Sequence, residues 1–229
     1  MTFTWTYISI WGDTMKALLA GLALAALPLT ASATIVEGTQ YNGPLELSYP
    51  LVYVDNPVAQ QKINTDIASY VEAAKGSYQP SSPGQYDFVH MSYSVPYEDD
   101  QVLSIVLRND NYYTGAAHGY HYLSGLVYNK QTGDRIPLTA YVPLASDTQL
   151  RTLIGNGTLV AKDEGENVIT PAPDFLNQAK VPTSYALFGQ GLVGMFFAPY
   201  ELGPYAQGEI TVYATPQNIQ YIKQLNNVR

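Results

Sequence analysis

The chain has 229 residues, 20 of them tyrosine and none cysteine, with 11 Lys and Arg against 19 Asp and Glu for a net charge of −8. The lack of cysteine excludes disulfides, thiolate metal sites, cysteine nucleophiles and a lipid-modified N-terminal cysteine. The acidic balance argues against nucleic acid as a partner, because phosphate binding needs clustered Lys and Arg, and it favours a cationic partner steered in by the field.

Met15-Lys16, an apolar run over 17–29 and Ala31-Ser32-Ala33, a small-x-small pattern, together read as a secretory signal peptide spanning 15–33, cut after Ala33. The run is shorter than the roughly 20 residues of a spanning helix, so no membrane span is expected in the mature chain. Residues 1–14 are then an upstream extension, and Met1 and Met15 are alternative starts. Export without disulfides predicts a periplasmic or secreted protein. Residues 34–229 are expected to form a single α+β domain, with 34–84 and 85–229 as candidate subdomains flanking the Pro/Ser/Gly break "QPSSPG" at 79–84.

Residues 45–54 alternate as a strand. Asn56 offers an N-cap and Pro57 a first helical position, and Ile63, Ile67, Tyr70, Val71 and Ala74 fall at helical spacing up to Gly76. Strands are predicted over 86–97, 102–109 and 120–128, paired antiparallel because their connections are short. The turn in "NKQTGDR" leads back through Ile136 and Leu138 as a hairpin. Asp147 is expected to cap a helix over 148–154. Residues 155–182 give mixed signals, with one brief helix near 174–180. A hairpin over 184–197 around "GQG", a strand over 209–214 and a terminal helix opened by Thr215 and Pro216 complete the chain. The sum is α+β, a largely antiparallel sheet flanked by a few helices.

His118 and His121, in "TGAAHGYHY", are the first candidates for chemistry. Gly115 and Gly119 argue against a helix there, and in a strand the two rings would face opposite sides, so shared metal ligation is not expected and no metal or other cofactor is predicted. Glu98, Asp99, Asp100, Asp110, Glu201 and Glu209 are carboxylates from which a sugar-hydrolase pair could be drawn, and most read as solvated turns. Asp110-Asn111 beside 98–100 is a remote calcium option. The corner "FFAPYELGPYAQG" holds Tyr200, Glu201 and Tyr205 between Pro199, Pro204 and Gly208. Rigid tyrosines of this kind suit recognition, because little side-chain entropy is lost on contact. His118, Tyr200, Glu201, Tyr205 and Tyr113 are therefore the expected binding residues, and Gly115, Gly119, Pro199, Pro204 and Gly208 the expected structural ones. No catalytic residue is assigned.

"SYPLVYV…INTDI", "YYTGAAHG", "YNKQTGDRIPLTAY" and "YALFGQGLVGMFFAPYELGPYAQGEITVY" stand in an order that resembles the exported bacterial family of unknown function 3298, with its 4163-type N-terminal part. The family's Gly-Gly-Ala-His-Gly is represented by Gly115-Ala116-Ala117-His118-Gly119. Proteins of this kind include the ectodomain of a lysozyme-sensing anti-sigma factor and the non-catalytic N-terminal part of a peptidoglycan deacetylase. The resemblance implies a cell-envelope recognition module whose partner is a cationic protein such as lysozyme or a peptidoglycan fragment. Two alternatives stay open: a cell-wall hydrolase or deacetylase using His118 and Glu201, and a structural envelope protein without a small ligand.

Overall fold

A computed structural model describes residues 32–78 and 86–227. The upstream extension, nearly all of the expected signal peptide and the break at 79–84 lie outside the described residues. The α+β expectation holds, with one correction: the strands form two sheets, each five-stranded, rather than one.

The first sheet begins with a hairpin of β1 (Thr34–Asn42) and β2 (Leu45–Tyr53). β1 was not expected from the sequence. It is an edge strand on which only Gly38 is buried, so it shows no inward-outward alternation. The helix α1 (Pro57–Ser77) starts as predicted, the Asn56 side chain accepting from the Val58 N–H at 3.0 Å. Its buried Ala59, Ile63, Ile67, Val71 and Ala74 face the sheet. Ile63 and Ile67 pack with Val52, Leu103, Ile105 and Leu126, and Val71 and Ala74 with Leu45, Val89 and Met91. Each fully buried aliphatic side chain contributes about 1.5–3 kcal/mol. Asn64 fastens the helix to β2 by accepting from Val52 N–H at 2.8 Å and donating to Val52 C=O at 2.7 Å. Because α1 is the crossover, β2 pairs parallel with β3 (Phe88–Glu98). β4 (Val102–Tyr112) and β5 (Tyr120–Asn129) follow antiparallel, as expected, in the order β1-β2-β3-β4-β5. The sheet therefore runs across the break at 79–84.

The return predicted after Gly133 makes only one bridge, Tyr128 with Arg135, before a 3₁₀ turn at Leu138–Ala140. α2 (Asp147–Gly155) is capped by Ser146, whose hydroxyl accepts from Gln149 N–H at 3.1 Å. Asp147 instead accepts from Val181 N–H at 2.8 Å. The region of mixed signals holds β6 (Val160–Lys162), β7 (Val168–Ile169) and the single turn α3 (Pro173–Leu176). β8 (Tyr185–Leu187), β9 (Val193–Phe197), β10 (Ile210–Ala214) and α4 (Pro216–Asn227) match the predicted hairpin, strand and helix. The second sheet runs β7-β6-β10-β9-β8, antiparallel throughout.

The two sheets meet at β5 and β8. A Cβ on Gly125 would lie 2.0 Å from the Tyr185 carbonyl oxygen, so only glycine permits this approach. Ser184 Oγ bridges the gap, accepting from Gly125 N–H at 2.8 Å and donating to Leu123 C=O at 3.0 Å. Val106, Ala186 and Phe196 close over the same junction. Among the described residues, no helix is long and apolar enough to cross a membrane.

Candidate functional site

The loop between β4 and β5 comes against the corner between β9 and β10. His118 lies in that loop, outside any strand, and is exposed. Its Nδ1 is 2.9 Å from the Gly119 carbonyl, which can only accept, so Nδ1 carries a proton. Nε2 is then free to accept from the Tyr200 hydroxyl at 3.3 Å. The Tyr205 ring stacks on His118 at 3.7 Å between centroids and lies nearly parallel to His121 at 5.5 Å. Tyr200 completes the cluster, 6.0 Å from Tyr205. The two imidazoles thus both lie against the Tyr205 ring. Only His121 is on a strand; His118 is not, contrary to the strand placement considered for both.

The corner that presents these rings is strained. Tyr200 has φ of 75°, a left-handed conformation uncommon for a bulky residue. Its N–H donates to Gly203 C=O at 3.0 Å, and the exposed Glu201 folds back to accept from Ala198 N–H at 2.7 Å. Pro199 and Pro204 flank the turn, and Gly208 ends it with φ of 65°. Tyr200 and Glu201 also line an open cleft of about 500 Å³ with Lys180, Pro182 and Phe196. Of the expected binding residues, His118, Tyr200 and Tyr205 come together and Glu201 lies on the adjoining cleft. Tyr113 pairs with Tyr86 instead, at 6.5 Å. Gly115 adopts a φ of 92°, and a Cβ on Gly119 would sit 2.9 Å from the Asn111 carbonyl oxygen, which accounts for glycine at both.

Beside the rings lies a group the sequence did not announce. Strand register places His90, Asp110 and His121 in one row across β3, β4 and β5, and Arg108 is two residues from Asp110 on the same face. Arg108 Nε donates to Asp110 Oδ1 at 3.1 Å, Nη2 donates to Glu164 Oε1 at 2.9 Å, and Nη1 is 3.2 Å from Glu209 Oε1. His90 Nδ1 lies 3.6 Å from Asp110 Oδ2. On the other side of the carboxylates, His121 Nε2 is 4.0 Å from Glu164 Oε2 and 3.9 Å from Glu209 Oε2. Burial pushes the Glu209 carboxyl above the usual range against the pull of Arg108. Burial alone would lower the Arg108 guanidinium, but Asp110, Glu209 and Glu164 together raise it.

This group corrects the expectation that the carboxylates are solvated turns in the case of Glu209, which is 4 % exposed. Asp110 and Asn111 lie near the far end of β4 from the 98–100 turn, so the proposed calcium loop does not assemble. Glu164 and Arg108 were not singled out in the sequence. Arg108 meets Glu164 and Glu209 across 56 and 101 positions, and no local pattern carries that information.

No family model matches this sequence, and no curated protein matches it. Among solved structures it is similar to a DUF3298 family member from Bacteroides fragilis, at 12 % identity and a TM-score of 0.52, covering 83 % of this chain and 91 % of that one. A DUF3298 family protein from Pseudomonas aeruginosa is similar over 84 % of this chain and 93 % of its own, at 14 % identity and a TM-score of 0.49. At such identities the likeness speaks to fold alone: the described residues adopt a DUF3298-like fold.

Proposed function

We propose that the protein is a non-enzymatic binding module of the bacterial cell envelope that recognises a cationic protein of the lysozyme type. The observation that carries this is the cluster of exposed His118 and Tyr200 with half-buried Tyr205, held on a strained corner that also carries the exposed Glu201. Aromatic rings already fixed in place lose little entropy on contact, and strain at an exposed residue is a feature of sites that are kept for use. The net charge of −8 would draw a basic partner towards this face. The expected signal peptide places the module outside the cytoplasm, and N-terminal sequencing of exported protein tests that placement. Engagement of His118 with Tyr200 and of Glu201 with Ala198 N–H leaves the two unpaired with each other, which favours binding over the hydrolase alternative.

A peptidoglycan fragment is a second reading, supported by the open cleft that Tyr200 and Glu201 share with Lys180. Calorimetric titration with hen lysozyme and, separately, with soluble muropeptides at low and moderate salt distinguishes the two. The lysozyme reading expects a complex that weakens as salt rises and is reduced at least tenfold in Tyr200→Ala; no complex at tens of micromolar removes it.

A further inference from the structure

We propose that His121, Glu164 and Glu209 bind a divalent transition-metal ion of the zinc type. Each offers a ligating atom, and the three atoms lie within 4.8 Å of one another. The strongest indication is His121 Nε2, which is buried and has no hydrogen-bond partner, yet points at both Oε2 atoms. A buried ring nitrogen left unmatched costs free energy, and the arrangement is explained if a ligand completes it. Glu209 adds to the mismatch. Its side chain is 3 % exposed, and Oε1 receives no well-aligned hydrogen bond although Arg108 is near.

The hold of Arg108 on both carboxylates supports the same conclusion. Arg108 holds Oε1 of Glu164, leaving its Oε2 turned towards His121, and spans both oxygens of Glu209, with Nη1 3.2 Å from Oε1 and donating to Oε2 at 3.5 Å, the oxygen that also faces His121. This is how a second layer of contacts orients ligands around a metal. Asp110, Glu164 and Glu209 set three carboxylates around one guanidinium. Around zinc, with bonds of about 2.0–2.2 Å, neighbouring ligand atoms stand about 3.4 Å apart. Closure by about 0.5 Å is needed from the His121 spacings and by up to about 1.4 Å between the two carboxylate atoms. Glu164 is 42 % exposed on the turn between β6 and β7 and is free to supply it. Gly208 makes the approach feasible, because a Cβ there would lie 2.2 Å from Glu164 Oε2. An imidazole with two carboxylates selects zinc or its transition-metal neighbours over calcium and magnesium, and three protein ligands leave a coordination position for water.

The inference is independent of the recognition reading, since metal uptake is measured with no protein or glycan present. Tag-free protein is stripped with chelator and titrated with zinc chloride by calorimetry. One ion per chain at low micromolar affinity is expected. His121→Asn should weaken binding at least thirtyfold and Glu164→Gln about tenfold, whereas His118→Ala should leave it unchanged. X-ray absorption of the loaded protein should show one imidazole among otherwise oxygen ligands. Melting curves establish that each variant is folded, and Glu164→Gln, at an exposed position, serves if His121→Asn is not. Absence of saturable uptake by the wild type at 100 micromolar zinc, or uptake unchanged by both His121→Asn and Glu164→Gln, overturns the proposal.

Discussion

Tyr200 and Lys130 illustrate opposite uses of single residues. Tyr200 pays for its left-handed backbone about 1–2 kcal/mol that glycine would not. Tyr200→Gly should therefore raise stability by about 1 kcal/mol in urea denaturation while abolishing the contact with His118 and any binding that uses it. Lys130, by contrast, is 5 % exposed and donates to Glu98 Oε1 and to the Asp99 carbonyl, both at 2.7 Å. Removing one partner of a buried pair costs about 3–5 kcal/mol. Glu98 is one-fifth exposed, so Lys130→Met should fall at the lower end, read as a shift in denaturation midpoint.

Among the elements, the turn between β3 and β4 is set by a carboxylate. Asp99 Oδ1 accepts from Gln101 N–H at 2.8 Å and Val102 N–H at 2.7 Å, and Oδ2 accepts from the Tyr97 hydroxyl at 2.7 Å. Burial pushes the Asp99 carboxyl up, but these hydrogen bonds together with Lys130 outweigh it and hold it below its usual value. A depressed native value means that the stabilisation is complete above the unfolded aspartate pKa of about 3.9 and is lost as pH falls through the folded value. The melting-temperature gap between wild type and Asp99→Asn should be widest at pH 7 and narrow progressively as pH falls below about 3.9. Helix α1 was legible because its signals are local, an N-cap, a proline and a four-residue apolar spacing. The α2 cap was misplaced by one residue, since Ser146 and Asp147 are both good caps and only the tertiary partner of Asp147, Val181 N–H, separates them. β1 was missed because an exposed edge strand is defined by its pairing with β2 rather than by its own pattern.

Across the whole molecule, the closeness of Gly125 to Tyr185 couples the two sheets. Ser104 Oγ adds a second link, accepting from Leu187 N–H at 2.9 Å across the same junction. Gly125→Ala must push backbone from backbone, which no rotamer can relieve, and should cost about 3 kcal/mol or more. Loss of soluble protein, or a large fall in denaturation midpoint, is the expected result. In the wild type, fluorescence from the many tyrosines and far-ultraviolet dichroism should report one shared unfolding transition, because Val127 of the first sheet is part of the core under the second. A sheet that melts separately would break this coupling.

Periodicity, capping residues and turn chemistry act within a few positions, and from them alone follow the strands other than β1, β6 and β7, the long helix, the α+β class and the gathering of rigid rings at the 196–208 corner. The acidic balance and the lack of cysteine likewise need no fold to be read. Pairing of the sheets, burial of Glu209 and the meeting of Arg108 with carboxylates 56 and 101 positions away arise only when β4, β5, the β6–β7 turn and the start of β10 converge. Whether a charge is solvated or enclosed depends on atoms distant in the chain, so the surroundings of His121 were settled by packing between elements whose sequences carry no mark of one another.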